Sequence, residues 1–338
     1  MRHFTIHKPR APNTEYIRLG AHQKYHVFNI SQSIQNIKLL GENIMIKFEK
    51  FTEEILENLE REYPDKKVRL FPVLKNNGEK LAGLHILSRE TNVCPTIYLD
   101  YYYSEFVNGT SLEKILRDII DVYEKNKVQE MVDISKFLNY ETAKNQIVYK
   151  LVNYERNYEL LRDVPHIRFL DLAITFSYVF SMEQETVATA LIHNSHLADW
   201  KKTVHDLFQV AEINTPRIFK YTLSSIEEVL AELLKMEAGE FENPIPMYVL
   251  SNNVGISGAT VMIYKGMLKE ISERMQSDIY ILPSSIHETL LVPVYESGNE
   301  QVLADMVREV NATKLCQNEI LSDNVYFYSR KENEIIVL

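Results

Sequence analysis

The sequence predicts an α+β protein: mixed helix and antiparallel-sheet units, with a ferredoxin-like C-terminal domain. Three observations predict it. Apolar residues recur at helical spacing in some stretches and alternate at strand spacing in others. The strand stretches come as neighbours joined by short turns, as antiparallel strands do. The last third runs strand, helix, strand, strand, helix, strand, which is the ferredoxin-like order.

The first helix starts at Met45. Phe48, Phe51, Ile55 and Leu59 form its apolar stripe, and Pro64-Asp65 stop it. Val68–Leu74 and Lys80–Leu87 flank Asn76-Asn77-Gly78, a hairpin signal because Asn and Gly tolerate positive φ. A strand over Thr96–Leu99 leads to Asp100, the expected N-cap of a Tyr101–Val107 helix closed by Gly109. Thr110-x-x-Glu113 reads as a capping box. Leu112, Ile115, Leu116, Ile119, Ile120 and Tyr123 then give a continuous buried stripe.

Next comes a strand over Ile147–Val152 and a short polar helix to Arg162. Ile174, Phe176, Tyr178 and Phe180 alternate at strand period, and Val187–Ile192 pairs back. One helix is expected from Ser195 to Ala211 and another from Ser225 to Met236, the latter behind a Ser224-x-x-Glu227 box. Past Pro244 and Pro246 the elements are a strand (Met247–Ser251), a helix (Gly258–Met275) and two strands (Ile279–Leu282, Thr289–Val294). A helix (Glu300–Asn311) and a strand (Val325–Tyr328) finish the order.

The expected organisation is an extension at 1–44 outside the fold, a helix/hairpin/helix unit at 45–140, a middle α+β region at 141–243, and the ferredoxin-like domain at 244–338. Residues 1–44 carry six basic residues against Glu15 and Glu42, whereas the remainder holds 31 basic and 45 acidic residues. One reading is a basic arm for an acidic partner. The favoured reading is translated upstream sequence: Gly41-Glu42 codons can read as a ribosome-binding sequence, which makes Met45 the expected native start.

Composition narrows the function. The net charge of -10 argues against sequence-independent binding of nucleic acid or anionic membrane. The longest strongly apolar uncharged run, Leu172–Met182, is eleven residues, against roughly 20 for a bilayer span. Only 10 glycines occur, and neither dinucleotide nor P-loop glycine string is present, so no cofactor is expected. Cys94 and Cys316 are too few and too distant for a disulfide framework or a zinc site. With no secretory h-region, the expected location is the cytoplasm.

Four constellations could carry chemistry. In Pro283-Ser284-Ser285-Ile286-His287-Glu288, an extended segment sets Ser285 and His287 on one face. A Ser–His pair serves nucleophilic catalysis when a carboxylate orients the imidazole and donors hold an oxyanion, with Glu288 or Asn252 as helpers. The favoured reading is a strand–turn–strand join whose hydroxyls and imidazole satisfy backbone groups. His193, His196 and Asp199, with His205 beyond, are weak metal-ligand candidates, since H-x-x-H lacks the base of H-E-x-x-H. Asn194 or Ser195 is more simply a helix N-cap. Ser251–Thr260 could bind an anion at a helix start, but no Lys follows to reach a phosphate. Tyr98, Tyr101, Tyr102, Tyr103 and Phe106 could stack bases but read as a packed helix face.

Longer strings carry a resemblance. Met247–Asn252, Asp278–Glu288, Met306–Thr313 and Ile320–Tyr326 resemble the bacterial family labelled domain of unknown function 5688. Pro95–Leu99 and Val148–Asn153 resemble its N-terminal half, so the likeness runs from about Met45 to Tyr328, poorest over Phe180–Tyr221. The resemblance implies a cytoplasmic bacterial protein and supplies no activity, cofactor or catalytic residues. The residues alone favour a non-enzymatic binding or regulatory module for an unknown protein or small-molecule ligand. The alternative is a hydrolase-like enzyme using Ser285 and His287.

Overall fold

The structure, a computed structural model, describes residues 5–7, 47–92, 94–127, 134–183, 186–234, 246–283, 285–294 and 300–338. Met45 and Ser284 lie outside the described residues. Thr5–His7 form a short strand, β1. The described residues from 47 on divide into two compact units, one within residues 47–73 and 80–127, the other within residues 74–79 and 134–338.

The first unit packs helices on a small sheet. Helix α1 (residues 47–62) ends two residues before Pro64, because the ring disfavours helical backbone ahead of it. Strands β2 (Lys67–Leu74), β3 (Lys80–Leu87) and β4 (Ile97–Tyr98) lie in that order in one sheet. Asn77 and Gly78 take φ of 60° and 72° in the β2–β3 turn, the backbone that Asn and Gly were expected to supply. Helices α2 (Leu99–Val107) and α3 (Leu112–Asn126) follow. Phe51, Ile55 and Leu59 meet Ile115, Ile119 and Tyr123 over Leu84, Ile86 and Ile97 in one core.

Two caps here differ from expectation. Asp100 lies inside the first turn of α2, and its carboxylate accepts from Ala82 N at 2.7 Å instead of capping. The cap of α3 is Ser111, not Thr110: its hydroxyl accepts from Lys114 N at 3.4 Å. Adjacent hydroxyl residues compete for one cap, and the extended φ/ψ decides which takes it.

The second unit begins with α4 (Ser135–Leu138) and α5 (Tyr140–Ala143). Then come β5 (Ile147–Asn153), α6 (Tyr158–Leu161), β6 (His166–Phe169), β7 (Leu172–Glu183) and β8 (Thr186–Leu191). These strands form a sheet in the order β1-β8-β7-β5, with β6 also paired to β7. Strand β5 is an edge, so its outward N–H groups need partners. Tyr149 N donates to Thr215 Oγ1 at 3.0 Å and Leu151 N to Thr260 Oγ1 at 3.2 Å.

The single helix expected over Ser195–Ala211 is two, α7 (Asn194–Trp200) and α8 (Val204–Ile218). Lys201 turns left-handed at φ 54°, and Thr203 with Asp206 forms a new capping box that restarts the chain. Strand β9 (Tyr221–Ser225) precedes α9 (Ile226–Leu234), whose box pairs Ser225 with Glu228, one residue beyond the pair expected. After β10 (Tyr248–Asn252), the expected Gly258–Met275 helix splits into a 3-10 turn (Gly258–Ile263) and α10 (Met267–Met275), with Gly266 at φ 76° between them. The chain closes with β11 (Ile279–Leu282), β12 (Thr289–Pro293), α11 (Glu300–Thr313), β13 (Tyr326–Ser329) and β14 (Glu334–Val337).

The second sheet runs β14-β13-β11-β12-β10-β9. Its element order is the one expected, but its pairing is not the ferredoxin-like one. There the fourth strand returns beside the first; here β13 lies beside β11, the second. Handedness gives the consequence. β10 and β11 are both antiparallel to β12, and β12 and β13 both to β11, so each helix joins two parallel strands with one strand between. Both crossovers step in the same direction across the sheet, while β10 and β12 run opposite ways. Right-handed crossovers then put the two helices on opposite faces. Accordingly Leu268 and Ile271 of α10 pack with Ile279, Ile281 and Leu291, whereas Leu303 and Val307 of α11 pack with Tyr280, Leu282 and Val292. The α10 face shares its core with Tyr149, Leu151, Ile174 and Phe176 of the first sheet.

Candidate functional site

The Ser–His segment and the β10 loop meet at a tight bend. Ser285 is 7% exposed, and its Oγ accepts from His287 N at 3.0 Å. Ser285 N donates to Glu288 O at 3.2 Å, closing the turn, and Ile286 N donates to Glu319 O at 2.8 Å. His287 Nδ1 accepts from Ser257 N at 3.4 Å, and Ser251 Oγ donates to His287 O at 2.8 Å. Gly258 permits this approach. A Cβ there would lie 2.2 Å from Ser251 Oγ and 2.3 Å from His287 O.

No hydrogen bond joins the Ser285 hydroxyl to the His287 imidazole; each receives a backbone N–H instead. Asn252, 5% exposed, is engaged at both ends, accepting from Val254 N at 3.1 Å and donating to Ile256 O at 2.8 Å. The structure therefore brings Ser285, His287, Glu288 and the Asn252 loop together, with Ser285 Oγ, His287 Nδ1 and the Asn252 amide bonded to backbone groups of the bend. Burial raises the Glu288 carboxyl above the usual carboxylate range. The anion reading of this loop fares similarly. Ala259 N donates to Ile286 O and Thr260 N to Ser257 O, so donors at the helix start already have acceptors.

The histidine cluster is dispersed over local structural roles. His193, not Asn194 or Ser195, occupies the N-cap of α7, and its Nδ1 lies 2.8 Å from Asp163 Oδ2. His196 Nδ1 accepts from His193 N at 2.9 Å, and its ring packs edge-on against Phe137. His205 lies against Gln209, and Asp199 is exposed. Among the described residues, no three His, Cys, Asp or Glu side chains form a group that could hold a metal ion. In the tyrosine run, Tyr103 packs on Phe48 and Phe51, and Phe106 on Phe51. Burial pushes the Cys94 thiol up to about 11, which removes the thiolate needed for nucleophilic chemistry at neutral pH.

Two arrangements escaped the sequence reading. Asp171 collects the segment leading into β13: Ser322 Oγ donates at 2.6 Å, Asn324 Nδ2 at 3.0 Å and Tyr326 OH at 2.8 Å. Arg156 pairs with Asp323 at 2.6 Å, and Asn311 Nδ2 donates to Ser322 O at 2.9 Å. The strings around residues 306–326 that carry the resemblance are thus occupied in holding this segment. The second is a lysine, Lys150, in the middle of β5, a strand otherwise buried along its whole length. A charged residue inside such a run was the signal available.

An open cleft of about 560 Å³ lies between Lys269, Glu273, Asp278 and Arg330. None of the sequence-predicted candidates lines it. No helix among the described residues is long and apolar enough to cross a membrane.

The fold is that of an α+β protein of helices and antiparallel sheets, with Ser285 and His287 placed at a tight bend. The sequence matches the family of unknown function DUF5688 over residues 48–330, and the chain belongs to that family. No curated protein and no solved structure matches it.

Proposed function

We propose that this chain is a non-enzymatic binding or regulatory module of the bacterial cytoplasm, acting on a small-molecule or protein ligand without nucleic acid or membrane. One observation carries the reading: the Ser285 hydroxyl and the His287 imidazole both accept backbone N–H groups and are not bonded to each other. A Ser–His nucleophile needs that mutual bond, an orienting acid and oxyanion donors. The open cleft between α10 and the β13–β14 turn offers surface for a ligand without any of these residues.

The test is profiling of the purified chain against a bacterial metabolite extract, with mass spectrometry of both the retained and the free pools. A binding module retains a compound chemically unchanged and leaves the free pool intact. Turnover of any compound that stops in Ser285→Ala overturns the reading in favour of the hydrolase.

A further inference from the structure

The open cleft of about 560 Å³ lies wholly within the second unit. Lys269, Ser272, Glu273 and Gln276 stand at i, i+3, i+4 and i+7, so they line it from one face of α10. Gln276 turns left-handed at φ 53° and ends the helix, which brings Asp278 round to the same cleft ahead of β11. Asp278 is held there. Its Oδ1 accepts from Arg330 N at 2.8 Å, and its carbonyl accepts from Val294 N at 2.9 Å. Ser277 Oγ donates to Val294 O at 2.9 Å beside it. The facing wall is the β13–β14 turn, closed by Asn333 N on Ser329 O at 2.8 Å, with Arg330 and Lys331 between the strands.

The cleft holds side-chain charges of both signs that do not pair with one another. Lys331 is matched by Glu332 at 3.1 Å on its own turn. Among the described residues, the charged ends of Lys269, Glu273 and Arg330 make no ion pair or hydrogen bond. The Asp278 carboxylate is engaged by one backbone N–H. Glu273 and Asp278 flank the C-terminal end of α10, where the helix dipole is negative. Arg330 and Lys269 supply the positive poles. A ligand of one sign therefore meets like charge somewhere in this cleft, whereas a ligand of both signs finds an opposite charge for each end.

We propose that this cleft binds a zwitterion, an amino acid or short peptide with a free ammonium and a free carboxylate. The Arg330 guanidinium offers a carboxylate two parallel N–H donors. The carboxylates of Glu273 and Asp278 accept from an ammonium, which brings three donors and no acceptor. The volume falls within the range of about 300–1,000 Å³ usual for small-molecule sites. The proposal rests on the binding-module reading, because it names the ligand class of the cleft that reading uses.

The test is calorimetric titration of the full chain with alanine, trialanine, N-acetyl-trialanine and trialanine amide at matched ionic strength. We expect saturable binding of an uncapped ligand, with each capped peptide at least about tenfold weaker, one step of 1.4 kcal/mol. Saturation by alanine assigns an amino acid, and by trialanine alone a peptide. Arg330→Glu weakens the uncapped ligand at least about tenfold and strengthens trialanine amide, because the sign of that pole is reversed. Glu273→Lys does the converse and strengthens N-acetyl-trialanine. Both side chains are exposed, and the bond from Arg330 to Asp278 is made by the backbone, so both variants keep it. No saturable heat with either uncapped ligand, equal binding of the capped peptides, or variants that leave all affinities unchanged or weaken all alike overturn the proposal. Retention of a different class of compound from the metabolite extract leaves the binding-module reading standing without this ligand. Turnover that stops in Ser285→Ala removes that reading and leaves these titrations as they are.

Discussion

Asn77 and Asn157 exchange two hydrogen bonds inside the second unit. Asn77 N donates to Asn157 Oδ1, and Asn157 Nδ2 donates to Asn77 Oδ1, each at 2.9 Å. Asn157 is 1% exposed and also donates to Asn153 O at 2.9 Å. The pair ties the Leu74–Glu79 turn to the end of β5. Asn157→Leu removes the partners of the Asn77 N–H and Oδ1, while Asn77 Nδ2 keeps Gln317 O and Ile320 O, and is expected to cost about 2–3 kcal/mol. The urea midpoint reads it, with the slope unchanged.

Gly258 is the second weak point, for a steric reason. An alanine methyl there would also meet Asn252 N at 2.9 Å, in addition to Ser251 and the His287 carbonyl. Backbone and a neighbouring strand residue cannot both withdraw, so Gly258→Ala is expected to cost about 3 kcal/mol or insoluble expression. Substituting Gly255, where a Cβ meets nothing within 4 Å but φ is 64°, costs less, about 1 kcal/mol. Comparing the two Tm values checks the ranking.

Asp171 concentrates three donors on one carboxylate. Asp171→Ala leaves the Tyr326 hydroxyl, fully buried, without its acceptor. We expect a loss of about 3 kcal/mol, against about 1 kcal/mol for Tyr326→Phe, which removes a single bond. Combining the two should fall short of additivity, because they share a partner.

Glu288 gives a pH dependence whose sign can be worked out. Burial raises its carboxyl in the folded state above the unfolded value. Between those two values the folded chain binds more protons than the unfolded one, so stability falls as pH rises through that window. Above it the deficit is full; below the unfolded value, near 4.3, it is absent. Glu288→Gln should therefore be more stable than the parent at pH 7 and equal to it near pH 4. A parent that gains on the variant as pH rises contradicts the assignment.

Much of the fold was legible because local signals agreed with tertiary ones. The α3 stripe Ile115, Ile119 and Tyr123 is buried as its spacing requires, and Asn77-Gly78 turns as its residue types allow. Helix breaks were less legible. Lys201 in left-handed backbone has no sequence signature, and its turn is held by the box at Thr203. Strand pairing was illegible: element order fits either arrangement of β13, and only the faces taken by α10 and α11 separate them. The Ser285–His287 pair was visible as residue types, but its role depends on Ser257 and Gly258, thirty positions away in sequence. Lys150 was visible as a misfit in IVYKLVN, a charged residue inside an otherwise apolar strand run.

The central claim is that Ser285 holds a bend and is not a nucleophile. Intact-mass measurement after incubation with a fluorophosphonate serine-hydrolase probe tests it most directly. The account predicts no adduct on the folded chain at any pH from 6 to 9. A stoichiometric adduct that maps to Ser285, disappears in Ser285→Ala and weakens in His287→Ala would contradict it.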